Sequence, residues 1–143
     1  MEPSSDFYTL KGYSLMENTQ VTAAMEDYLE MICRLSADKA PVRINDLARH
    51  LNVRPSSASK MAANLQELGL IDFPKYGLIT LTDKGIDTGE YLLYRHNLLN
   101  DFFCQINHSL DELEQVEKVE HFLTPRTVEN IRLFMEKYCK TER

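Results

Sequence analysis

INDLARHLNVRPSSASKMAANLQELGLI, residues 44–71, decides the fold. Ile44, Leu47, Ala48 and Leu51 recur at helical spacing, so they form the apolar face of a short helix, for which Asn45 is the expected cap. Asn52-Val53-Arg54 makes a tight turn. Pro55 suits the first turn of a second helix, where its missing N–H costs nothing, and Gly69 suits the position just past the end. Ala58, Met61, Ala62, Leu65 and Leu68 make that helix's buried stripe, leaving Ser56, Ser57, Ser59, Lys60 and Asn64 outward. A short helix, a tight turn and a longer helix with polar first turns are the parts of a helix-turn-helix.

Working outward, Met25, Tyr28, Leu29, Ile32 and Leu35 predict a preceding helix, capped by Thr22 and ending before the turn at Ser36–Pro41. Downstream, Leu70–Phe73 and Leu78–Leu81 flank Pro74-Lys75-Tyr76-Gly77, which reads as a β-hairpin with a basic, aromatic tip. Helix, helix, turn, helix, hairpin is the order of a winged helix. The rest reads as helix throughout. Thr82 caps a long helix from Asp83 to about Ile106, with Gly89 as a weak point. Ser109 is the expected cap of another, Leu110–Phe122. Thr124-Pro125 opens a last one carrying Val128, Ile131, Phe134, Met135 and Tyr138. The expected fold is therefore mainly α with a small β-hairpin wing. Its parts are an N-terminal extension (1–21), a winged helix-turn-helix (22–82) and an all-helical domain (83–143).

Composition agrees. At 143 residues, 43% hydrophobic and 27% charged, the chain suits two small modules sharing a core and excludes a wholly disordered or collagen-like protein. No apolar run approaches the roughly 18 residues of a membrane span. The N-terminus opens with an acid and lacks a basic start and an apolar block, so no secretory signal is expected and the cytoplasm is the expected location. Cys33, Cys104 and Cys139 are odd in number and widely separated, which predicts reduced, separately buried thiols rather than a disulfide framework or zinc ribbon.

Net charge is −6, at first sight against a nucleic-acid partner. The distribution reverses that. Residues 41–85 hold six Lys and Arg against four Asp and Glu, while both flanking segments are acidic. Arg54, Pro55, Ser56, Ser57, Ser59 and Lys60 crowd the start of the second helix-turn-helix helix. There, hydroxyls and the helix N-terminus can hold phosphates while longer donors reach base edges. Lys75 and Tyr76 at the hairpin tip could lie against phosphate or in the minor groove. The bland alternatives are a serine cap and a polar turn.

A second constellation is acidic. Asp27 and Glu30, three apart, project from one helix face; Glu117, Glu120 and His121 project together from another; His96 is a further candidate from a third segment. Four carboxylates and two imidazoles could satisfy one or two divalent ions if the fold gathers them. Each piece alone also reads as a solvated face or an ordinary histidine, so spacing leaves metal binding open. His50 and His108 are given no role.

Four ordered blocks carry a family resemblance: Met25-Glu26-Asp27-Tyr28-Leu29-Glu30, Arg54-Pro55-Ser56-Ser57-Ala58-Ser59-Lys60-Met61, Tyr94-Arg95-His96-Asn97-Leu98-Leu99 and Val116-Glu117-Lys118-Val119-Glu120-His121. They resemble signature segments of the DtxR-type metal-dependent repressors, most of all the manganese branch, the manganese transport regulators. The resemblance spans about residues 22–140. It implies a winged helix, a helical metal-binding and dimerisation domain, and two metal ions per subunit held by Asp27, Glu30, His96, Glu117, Glu120 and His121. It also implies a homodimer on double-stranded operator DNA that represses metal-uptake genes. Iron-type members resemble this pattern but carry Met and Cys where Asp27 and Glu117 stand, so oxygen at both places favours Mn2+, with Fe2+, Co2+ or Zn2+ able to bind in vitro. The first 20 residues depart from the family: either Met16 is an alternative start or the segment is an arm.

The expected mechanism is electrostatic. Without an ion, four converging carboxylates repel, so the winged helix swings relative to the helical domain; metal cancels the charge and fixes both recognition helices at operator spacing. DNA should reciprocally tighten metal binding. Two other functions fit the same residues less well: a winged-helix regulator that ignores metal, and a dinuclear hydrolase, which has no nucleophile elbow or phosphate-cradling loop to support it.

Overall fold

The computed structural model describes residues 21–75 and 77–139. The expected extension, the alternative start at Met16 and the wing-tip Tyr76 lie outside the described residues, apart from Val21.

Helix α1, Ala23–Leu35, starts where Thr22 accepts a hydrogen bond from the Met25 amide at 3.2 Å, and stops where the Ser36 hydroxyl donates to the Ile32 carbonyl at 2.6 Å. A single 3-10 turn, Ala37–Lys39, follows. Helix α2, Ile44–Leu51, begins on Arg43 with no side-chain cap, so Asn45 lies inside its first turn and does not cap it. The reason is upstream: Val42 and Ile79 exchange backbone hydrogen bonds at 2.8 and 2.7 Å, holding the chain extended up to the first helical residue. Asn52, with φ 56°, turns the chain in the left-handed region. Helix α3, Pro55–Glu67, follows with proline in its first turn. Gly69, at φ 76°, then lets the Leu70 amide reach the Leu65 carbonyl at 3.0 Å.

The wing is two short antiparallel strands, β1 (Ile71–Asp72) and β2 (Thr80–Leu81), in register Ile71 with Leu81 and Asp72 with Thr80. They are shorter than the sequence predicts. Leu70's amide is taken by the α3 cap and Phe73's by the Gln66 side chain at 2.7 Å, so neither amide joins the ladder, which past Ile71 keeps only the Thr82 amide on the Leu70 carbonyl at 3.2 Å. Val42 supplies a third rung through Ile79, which the sequence reading missed.

Helix α4, Asp83–Asn107, is capped by Thr82, which accepts from the Gly85 amide at 3.0 Å. Its Leu92 joins Leu29, Ile32, Leu47, Leu65, Ile71 and Ile79 in one core, so the long helix is seated on the winged helix. Gly89, the expected weak point, also has a packing role: a Cβ there would stand 1.9 Å from Cys33 Sγ, so the glycine is what lets α1 and α4 approach. The three cysteines are free but half-buried rather than buried, and burial pushes the Cys33 thiol up to about 11.

Helix α5 spans Leu113–Val119, not Leu110–Phe122. Ser109 does not cap it; its hydroxyl donates to Glu112 Oε1 at 2.6 Å, and the Glu112 amide is bound by Asn100 Oδ1 at 3.0 Å, which pins the loop before a helix can start. A 3-10 turn, Glu120–Phe122, replaces the expected last turn. Helix α6, Pro125–Tyr138, starts at Thr124, which accepts from the Thr127 amide at 3.2 Å. Among the described residues no helix is long and apolar enough to cross a membrane.

Candidate metal centre

Helix α1 contributes Asp27 and Glu30, α4 contributes His96, α5 contributes Glu117, and the 3-10 turn contributes Glu120 and His121. The structure brings all six together in two overlapping groups. In one, Asp27, Glu117, Glu120 and His121 offer ligand atoms within 4.8 Å of one another; in the other, Glu30, His96, Glu117 and Glu120 do the same. Glu117 and Glu120 belong to both, as two adjacent cation positions with shared carboxylates would require. Tightening of the chain at Glu120–Phe122 sets Glu120 and His121 side by side on the α1 face.

Burial is uneven. Glu120 is 0% exposed, His96 6% and Glu30 7%, whereas Glu117 is open to solvent. Removing carboxylates from water disfavours their charge, and burial, with the other acids nearby, pushes Glu30 and Glu120 up to about 7 each. His96 Nδ1 lies 3.1 Å from Glu120 Oε2 and 3.6 Å from Glu117 Oε1. The Asp27 and Glu26 carboxylates beside His121 push its imidazole up to about 10, against the opposing effect of burial. Its Nε2 stands 2.7 Å from Asp27 Oδ1, but the approach is too bent to satisfy a ring N–H.

Five buried side-chain nitrogen or oxygen atoms lack a hydrogen-bond partner among the described residues, and three of them are Glu30 Oε1, Glu120 Oε1 and His121 Nε2. Orphaned buried polar atoms are costly and rare. Their concentration in one cage of oxygen and imidazole donors fits a divalent ion of intermediate or hard character.

Two charged residues were not singled out in the sequence. Arg95, 3% exposed, places its guanidinium 3.3 Å from Glu26 Oε1, and Glu26 Oε1 lies 2.9 Å from His121 Nδ1. The available signal was Arg95 itself, an arginine within the stripe of buried residues that includes Leu92 and Leu99.

The other constellation lies on α3. Arg54, Pro55, Ser56, Ser57 and Lys60 are exposed, Ser59 is half-buried, and Ala58 points into the core. The helix has no side-chain cap, Arg54 being the N-cap residue, so the serines are not there to cap it and its first amides are left without a side-chain partner. Lys75 is exposed on the wing.

A winged helix-turn-helix joined through one core to a helical domain, with a carboxylate–imidazole cage between them, defines a metal-responsive DNA-binding regulator of transcription. Known proteins agree. Residues 20–78 match the iron dependent repressor N-terminal DNA binding domain, and residues 82–141 match the iron dependent repressor metal binding and dimerisation domain. The chain is 36% identical to the HTH-type transcriptional regulator MntR of Geobacillus kaustophilus over 123 residues, covering 85% of this chain and 87% of that one. An uncharacterised HTH-type transcriptional regulator of Methanocaldococcus jannaschii is 34% identical over 82% of this chain and 97% of its own length. Among solved structures, a manganese-dependent transcriptional repressor in complex with manganese superposes with a TM-score of 0.69 at 28% identity over 78% of this chain; the chain spans 52% of that longer protein. The chain belongs to the iron-dependent, DtxR-type repressor family.

Proposed function

We propose that the chain is a manganese-responsive repressor that acts in the cytoplasm as a homodimer on operator DNA, with Asp27, Glu30, His96, Glu117, Glu120 and His121 as the ligands of two divalent ions per subunit. The observation that carries this reading is the convergence of those six side chains from three separate segments into two groups that share Glu117 and Glu120. When bound, divalent metal supplies positive charge and cross-links between α1 and the helical domain. Asp27 and Glu117 offer oxygen, which suits manganese among the biological divalent ions, although cobalt or zinc would bind more tightly in vitro by the usual affinity order. Similar solved structures described as a manganese regulator and as a manganese-dependent transcriptional repressor support that choice.

Arg54, Ser56, Ser57, Ser59 and Lys60, on or beside the first turns of α3, are the groups proposed to meet DNA, with Pro55 shaping that turn and Lys75 and Tyr76 contributing from the wing. We place the domain boundary at Thr82, whose hydroxyl both donates to Gly69 O at 2.6 Å and caps α4. The regulated genes are proposed to encode metal uptake, so that occupied protein shuts off further import. A gel shift on the DNA upstream of the protein's own gene, run with manganese, iron and chelator in parallel, tests the reading. Retardation that needs metal supports it; retardation that survives chelator overturns it.

A further inference from the structure

We infer that Glu26, held by Arg95, is a positioning residue for the metal centre: it takes the Nδ1 hydrogen of His121 and so leaves Nε2 as the atom that ligates. The inference rests on the ligand set proposed above.

The two nitrogens of His121 meet different surroundings. Nδ1 lies 2.9 Å from Glu26 Oε1 in hydrogen-bond geometry. Nε2 has no directed partner and faces Asp27 Oδ1 at 2.7 Å and Glu120 Oε1 at 3.6 Å, both candidate ligands. A carboxylate oxygen accepts and cannot donate, so the 2.9 Å contact keeps a hydrogen on Nδ1, and the imidazolium hydrogen given up on ligation is the one on Nε2. Arg95 also comes within 3.3 Å of Nδ1, but a guanidinium only donates, and the same nitrogen lies 3.3 Å from Glu26 Oε1, which can take its hydrogen. Arg95 is itself fixed, being 3% exposed with its guanidinium 5.9 Å from the centre of the Tyr91 ring. Tyr91, Arg95, Glu26 and His121 therefore form one chain of contacts that ends at the cage. Histidines that bind metal characteristically donate their second N–H to a carboxylate or carbonyl, which fixes both tautomer and ring orientation.

Zinc, which is diamagnetic, serves as probe. In the full-length protein with ring-labelled histidine, nitrogen NMR after zinc addition should show His121 with a proton on Nδ1 and metal on Nε2. The opposite arrangement overturns the inference without touching the ligand set, whereas a His121 ring indifferent to zinc overturns both. Manganese and zinc affinities of Glu26→Leu and Glu26→Gln give a second readout. Leucine is chosen over alanine because a cavity of about 600 Å3 adjoins Glu26 and His121, and water entering it could accept the Nδ1 hydrogen in place of the carboxylate. Glu26→Leu should bind metal about 10- to 100-fold more weakly. Glu26→Gln, whose amide oxygen can still accept from Nδ1, should recover most of that loss. Equal losses in both variants, or none in Glu26→Leu, would show that orientation of His121 is not what Glu26 supplies.

Discussion

Metal binding to this protein should expel protons in a number set by three groups of the cage. A carboxyl with a pKa of about 7 is half protonated at pH 7, which describes both Glu30 and Glu120; an imidazole with a pKa of about 10, as at His121, is fully protonated there. Ligation requires each carboxylate to be ionised and one histidine nitrogen to be free. Each glutamate then gives up about half a proton and His121 about one, so loading at pH 7 should release about two protons per subunit. At pH 8 the glutamates are almost wholly ionised while His121 is not, and the release should fall to about one. By linkage, apparent affinity rises with pH, by about a hundredfold per unit near pH 7 and about tenfold near pH 8.

Titration calorimetry with manganese in two buffers of different ionisation enthalpy measures the number directly, as the slope of apparent enthalpy against buffer enthalpy. Slopes of about two at pH 7 and about one at pH 8 are expected. A slope near zero at pH 7, or the same slope at both values, would mean that these groups are not the ones metal deprotonates.

Other perturbations separate architecture from function. Gly89→Ala would push a methyl to 1.9 Å from Cys33 Sγ. The overpacking should cost about 1–3 kcal/mol, more than the roughly 1 kcal/mol that alanine gains over glycine in a helix, so the urea midpoint should fall and Cys33→Ala in the same chain should restore it. Asp27→Met should lower the preference for manganese over iron in a gel shift; an unaltered metal response removes Asp27 from the ligand set. Lys60→Ala should leave manganese affinity unchanged while reducing the salt dependence of operator binding by about one ion, and an unchanged salt slope would show that Lys60 neutralises no phosphate.

Much of the fold was legible because its signals are local. Thr22, Pro55, Gly69, Thr82 and Thr124 punctuate helices within three or four residues of themselves, and each stands where its chemistry predicts. Three of the misreadings involve a distant partner. Asn45 lost its capping role to a backbone bridge between Val42 and Ile79, and Ser109 lost its own to a loop pinned by Asn100 on α4. Gly89 looked weak in isolation and is a contact in context. The cage followed the same rule. Spacing identified Asp27 with Glu30, and Glu117 with Glu120 and His121, as pairs on common faces, but nothing local says that those faces meet; the family resemblance supplied that. Glu26 and Arg95 went unnoticed because their partners lie 95 and 69 residues from Glu26 along the chain.

The electrostatic expectation needs revision on the same grounds. It treated four bare carboxylates as the force that parts the two domains. In the structure their charge is already partly cancelled by protons: Glu30 and Glu120 hold theirs up to about pH 7, and His121 is a cation beside Asp27 and Glu26. Counting about two bound protons, the subunit starts near −4 at pH 7 rather than the formal −6, and the two divalent ions proposed above, on displacing them, would leave it near −2. The change in charge is thus about half of that expected from metal alone. Contacts do not appear from nothing either, since Glu26 already joins α1 to Arg95 on α4 and to His121. What metal adds is strength: hydrogen bonds of this kind contribute about 0.5–3 kcal/mol each, whereas a full set of protein ligands on a divalent ion can exceed about 10 kcal/mol. Metal control here is then an exchange of protons for metal at one joint. In the proposed mechanism the joint holds loosely with protons and firmly with metal, and only the firm form keeps two α3 helices at operator spacing against thermal motion.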